Sequence, residues 1–182
     1  MSDRLPGIRP RPSLGRRLDM AARFGFPATS TALLLILTAA PLGLPGQAEL
    51  QEAVALACVF FWSLFRPASL PPVLVFALGL LIDLLAYAPA GIGVLSLLLV
   101  HGLALRWRRS LARQGFMLVW LVFIAIACAA ALLQWLLTSI LMFRLMPPGP
   151  GLFQAAISSG IYPALAVLLT IAHQTLADPD HA

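Results

Sequence analysis

Lysine is absent from this 182-residue chain, and all 12 basic residues are arginine. Acids number only 7, and charged residues of both signs make up 10% of the total. A soluble domain of this length needs far more polar surface to cover its core. With 60% hydrophobic residues and a mean hydropathy of +0.93, the composition excludes one. Several uncharged runs reach the roughly 17–25 residues that cross a bilayer. The chain therefore reads as an all-α integral membrane protein built as one compact bundle. It leaves no room for a sizeable extramembrane domain, so any activity must sit in the bundle or its short loops.

Other scarcities narrow the function. The two cysteines, Cys58 and Cys128, lie in apolar segments with no Cys or His at ligand spacing. They read as small apolar residues and not as a disulfide or a metal site. No Gly-x-Ser-x-Gly elbow, His-Glu-x-x-His pair or phosphate-cradling glycine loop is present. Catalysis and bound cofactors are not expected. A sequence pI of about 10.6 would suggest nucleic acid in a soluble protein, but here the positive-inside rule explains the same charges. Arginine suits phosphate head groups, but codon usage in a GC-rich genome is the favoured account of the missing lysine.

What is present is a series of apolar segments behind a basic tail. Residues 1–25 hold Arg4, Arg9, Arg11, Arg16, Arg17 and Arg23 with three prolines, and read as a flexible cytoplasmic anchor near anionic lipid. Six segments follow over residues 26–177: Phe26–Leu44, Leu50–Phe65, Leu70–Tyr87, Gly91–Leu105, Gly115–Phe143 and Leu152–Ala177. The second and fourth are short for a span. Phe60, Phe61, Trp62 and Phe65 at the end of the second suggest an interfacial belt. Pro163 predicts a kink in the sixth. The small residues of "LTAAPLGLPGQA" admit a signal-peptide reading, but the region ahead of them is too long for one.

Charge sets the count of spans. Six spans with a cytoplasmic N-terminus place 11 of the 12 arginines inside, leaving only Arg144 outside. Losing one early span would put Arg106, Arg108, Arg109 and Arg113 on the wrong side. The expectation is six spans, both termini cytoplasmic and a short tail at 178–182.

Asp83 is the one acid placed well inside an apolar segment. An ionised carboxylate at that depth costs several kcal/mol, so it must be protonated, paired with a donor or facing water. The favoured reading is a polar pin between helices, with a binding or proton-coupling role as the alternative. Gly79 and Tyr87 flank it at i−4 and i+4 on one helical face, and Gly79 permits close helix approach. The remaining acids stand at loops or segment ends, which leaves Asp83 without an acidic companion. His101, Gln134, Thr138, Ser96, Ser158 and Ser159 read as hydrogen-bonding glue between helices. Ala125, Ala127, Ala129, Ala130 and Ala131 permit tight packing in the fifth segment.

The order "GLLIDLLAYAPAGIGVLSLLLVHGLALRWRR" resembles the MreD family of rod-shape-determining proteins of bacterial inner membranes. Gly79, Leu80, Leu81 and Asp83 match its Gly-Leu-Leu-x-Asp segment, and Pro89 and Gly91, followed by Gly93, match its bend. Leu95, Leu98, Arg106, Arg108 and Arg109 match its Leu-rich span with a basic end. Ala86, Ala88 and Ala90 stand where the family often has Gly or Leu. The resemblance implies a non-enzymatic scaffold of the cell-elongation machinery in the inner membrane. It would bind the single-span protein MreC, and through it MreB, a RodA-type glycosyltransferase and its transpeptidase. The candidate positions are Asp83, Gly79, Tyr87, Pro89, Gly91 and Gly93.

The same family resembles, in span number and helix arrangement, the membrane substrate-binding subunits of energy-coupling-factor vitamin transporters. A substrate-capture subunit is therefore the alternative. The expected outer loops supply few convergent polar side chains for such a ligand. A proton-coupled carrier centred on Asp83 lacks a second titratable relay group.

Overall fold

The computed structural model describes residues 14–40, 43, 45–85 and 90–177, with side chains from 24 to 174. Tyr87, Pro89, the first part of the basic tail and the C-terminal 178–182 lie outside the described residues. Among the described residues there are six α-helices: α1 Leu14–Ala39, α2 Gln47–Phe65, α3 Pro72–Leu85, α4 Ile92–Leu111, α5 Phe116–Leu141 and α6 Gly149–Ala177. A single 3-10 turn at Pro67–Ser69 joins α2 to α3.

The helix ends correct the sequence-based boundaries in three places. Helix α1 begins at Leu14, so the stretch before Phe26 is helical where a flexible tail was expected. Helix α4 runs 20 residues, through Arg106, Arg108 and Arg109 to Leu111, and is not short. A helix end rich in arginine carries on past the last apolar residue because the long side chains keep their charge in a polar environment. Helix α3 starts at Pro72 and is described as far as Leu85.

Three helices, α2, α5 and α6, are long and apolar enough to cross a membrane. Phe24–Ala39 and Pro72–Leu85 are shorter apolar helices. Large apolar side chains face outward on several sides, among them Leu33, Ile36, Val73, Leu84, Leu121, Leu132 and Val167. A soluble surface rarely carries so continuous an apolar exterior, whereas a lipid-facing one requires it.

Helix α2 forms the axis. Every residue from Ala53 to Leu64 is buried, because α6, α4 and α1 surround it. The aromatic group at its end belongs to this core and not to an interfacial belt: Phe60 and Trp62 are 0% exposed, and only Phe65 reaches the surface. Phe60, Phe123 and Tyr162 knit α2, α5 and α6 together, with Phe123 and Tyr162 stacked at 4.2 Å between ring centroids. Such pairs add about 0.5–1.5 kcal/mol to their area burial.

Polar groups fasten this axis at each level. Gln47 donates to the carbonyls of Thr38 and Ala40, closing the end of α1. Arg108 Nε donates to Leu64 O at 3.1 Å, supplying a partner where α2 runs out of its own amides. Between them, Ser63 donates to Val59 O and its oxygen lies 2.7 Å from His101 Nδ1. The serine proton is already used, so His101 carries its proton on Nδ1 and donates. His101 thus joins α4 to α2.

Helix α6 is one continuous helix through Pro163. Proline has no N–H, so the carbonyl of Ser159, four residues back, loses its usual donor. Trp120 Nε1 of α5 fills that place at 2.9 Å. Of the alanines in α5, Ala127, Ala130 and Ala131 are buried, whereas Ala125 and Ala129 face outward.

Candidate functional site

The chain turns back on itself between α3 and α4, which pack closely together. Helix α4 starts at Gly91, whose φ of 101° is left-handed and favours glycine. That residue supplies no side-chain cap, so the first amides of α4 need acceptors from elsewhere. Asp83, 5% exposed near the end of α3, supplies both. Its Oδ2 accepts from Gly91 N at 2.7 Å and its Oδ1 from Gly93 N at 2.8 Å. Negative charge at a helix N-terminus also meets the positive end of the helix dipole.

The glycines make the clasp possible. A Cβ at Gly93 would lie 2.5 Å from Asp83 Oδ1, inside the contact that holds the carboxylate. A Cβ at Gly79, one turn before Asp83, would lie 2.5 Å from Val94 Cα, so α3 and α4 touch backbone to backbone there. Gly79, Asp83, Gly91 and Gly93 therefore form one unit, which joins four of the six candidate positions. Tyr87 and Pro89 lie outside the described residues.

Glu52 of α2 is near enough to Asp83 for the two carboxyls to interact electrostatically, and Glu49 acts on Glu52 as well. Helix α2 begins beside the start of α4, and that packing carries its first acidic turns toward the clasp.

Next to these acids, at the end of the bundle where α2 and α4 begin, lies a cavity of about 300 Å³. Helices α2, α5 and α6 contribute Glu49, Glu52, Gln134, Thr138 and Gln154 to its wall, with Trp135 as an aromatic side. The Gln134 amide sits beside the Glu52 carboxyl. Gln154 is only 4% exposed, and its Nε2 has no partner among the described residues. The sequence signal for this group was faint. Glu49 and Glu52 stand at i and i+3, and Gln134 and Thr138 at i and i+4, but the two pairs are separated by two helices. The polar side chains of this wall stand on helix ends and not in the connecting loops, where the sequence alone places a ligand's partners.

Three expectations of polar glue are corrected. The hydroxyls of Ser96 and Ser158 are buried without a partner among the described residues, and Ser159 bonds within its own helix to Ala155 O. Among the described residues no group of three or more His, Cys, Asp or Glu is arranged to hold a metal ion. Cys58 is buried and Cys128 exposed, and neither is bonded.

No protein-family model, curated protein or solved structure matches this chain.

Proposed function

We propose that the protein is a six-span, non-enzymatic scaffold of the bacterial inner membrane that works in cell elongation as an MreD-type partner of MreC. The observation that carries this reading is the Asp83 clasp. Both of its oxygens are occupied by backbone amides, so the most conspicuous intramembrane acid is committed to architecture and not to turnover.

The membrane placement gives the clasp its physical reason. The described part of helix α3 has 14 residues and rises roughly 21 Å against the roughly 30 Å hydrocarbon core. In a six-span arrangement its end, and the start of α4, lie below the outer surface. Backbone amides at that depth lack water and must be satisfied by protein. Asp83 does this for the amides of Gly91 and Gly93. The cluster Arg106, Arg108 and Arg109 then falls on the cytoplasmic side.

The cavity favours a second reading, a substrate-capture subunit of an energy-coupling-factor vitamin transporter. Five polar side chains converge there, more than the loops alone suggested. The scaffold reading keeps precedence because the Gly79–Gly93 motif points to it and the cavity is compatible with either. Depletion of the protein in its native rod-shaped host tests it. Cells should widen and round while peptidoglycan synthesis delocalises. Normal width with impaired uptake of a vitamin would support the second reading instead.

A further inference from the structure

The bundle carries opposite charge at its two ends. Among residues with described side chains, Glu49, Glu52 and Asp83 stand where α2 and α4 begin. Arg66, Arg106, Arg108, Arg109 and Arg113 stand at the opposite end. Two openings meet at that arginine end. One is a recess of about 470 Å³ whose wall includes Arg66, Ser69 and Arg108 and no described acid. Arg108 Nε donates to Leu64 O, which orients the guanidinium, and its two terminal nitrogens have no partner among the described residues. The other opening is a groove of about 330 Å³ where α5 and α6 meet the ends of α2 and α4. Phe61, Phe116, Val119, Tyr162 and Val167 line it, and the Thr170 hydroxyl in its wall is already bonded to Ala166 O. The exposed ring of Phe65 belongs to both walls, so the recess and the groove adjoin.

We infer that this end of the protein binds one anionic phospholipid, with its phosphate in the arginine recess and an acyl chain in the groove. Guanidinium groups match phosphate oxygens in both charge and geometry. Basic pockets between membrane helices favour anionic head groups for that reason. The occupant must join a negative group to a long apolar part across the width of one residue, Phe65. An anionic lipid of the surrounding bilayer has that chemistry. A partner's helix fits the groove less well. One helical turn, about 10 Å across and 5.4 Å high, takes roughly 420 Å³, more than the groove holds. The inference requires only that the apolar exterior lies in a bilayer, and it stands apart from the scaffold reading.

The test is native mass spectrometry of the full chain in a neutral detergent with added lipid. Phosphatidylglycerol and phosphatidylcholine of identical chains are compared, with glycerol 3-phosphate as a head group lacking chains. One phosphatidylglycerol should remain bound at a concentration about tenfold lower than phosphatidylcholine requires. Glycerol 3-phosphate at that concentration should not displace it. Arg108→Gln removes a charge from the recess and should erase the preference for the anionic lipid. Val167→Trp fills the groove from an exposed position and should lower retention of phosphatidylglycerol severalfold. Thermal unfolding establishes that each variant is folded, and Val167→Trp carries the test if Arg108→Gln is not. No retained lipid, equal retention of the two lipids, displacement by glycerol 3-phosphate, or unchanged retention in the folded variants overturns the inference.

Discussion

The two oxygens of Asp83 reach across the bend between α3 and α4 to the amides of Gly91 and Gly93, at 2.7 and 2.8 Å. One side chain thereby caps the helix that follows its own, a task usually given to the residue at the helix start. The arrangement predicts a graded series. Asp83→Asn keeps one acceptor and sets an amide N–H₂ against the other N–H. Asp83→Leu leaves both donors unsatisfied, at about 1–3 kcal/mol each. Thermal unfolding in detergent should therefore rank wild type above Asn and Asn above Leu. Equal loss in the two variants would show that the charge matters and not the hydrogen bonds.

The glycines should respond according to what each one touches. Gly79→Ala drives a methyl into the Val94 backbone, and Gly93→Ala drives one into Asp83 itself. Each should cost about 1–3 kcal/mol. Because Gly93→Ala displaces the carboxylate as well as crowding Ile82 Cγ2, its effect should shrink in part in an Asp83→Ala background, where the side chain it meets is gone, while that of Gly79→Ala should persist. A double-mutant cycle measures the difference.

Pro163 and Trp120 make a second coupled pair. Trp120→Phe should destabilise by about 1–3 kcal/mol, because it strands the Ser159 carbonyl that Pro163 cannot serve. In a Pro163→Ala background the backbone N–H of residue 163 can take that carbonyl. The tryptophan substitution should then cost less, and strictly additive losses would contradict the assignment.

Much of the architecture was legible because it follows from hydropathy. Apolar runs broken by Pro and Gly mark six helices, and the pairing of Asp83 with small residues marks a close helical contact. Other features depend on which helices become neighbours, and that information is not local. Phe60 and Trp62 look like a membrane belt along α2 alone, and only the encirclement of α2 buries them. Glu52 reads as a terminal acid until packing brings it toward Asp83. The Trp120–Ser159 contact follows from a missing N–H in one helix and a donor in another, which no single window of sequence contains. Residues 14–25 belong to α1 although their arginines suggest a tail, because arginine is a good helix former.

Orientation gives an independent check on the six-span proposal. Alkaline phosphatase fused after Ala182 should be inactive and a fluorescent protein there bright. Insertion in the α5–α6 connection, beside Arg144, should give the reverse. A phosphatase signal at the C-terminus would reduce the number of spans by one and place the arginines of α4 in conflict with the positive-inside rule.

The most direct measurement of the central claim is what accompanies the protein out of its native membrane. A tagged chain extracted in mild detergent should bring MreC with it, and cell-wall synthases in lower yield. That recovery should fall in Asp83→Leu more than in Asp83→Asn. Recovery of a pair of ATPases with a membrane coupling subunit, and no MreC, would contradict the scaffold account and make the protein a substrate-capture subunit.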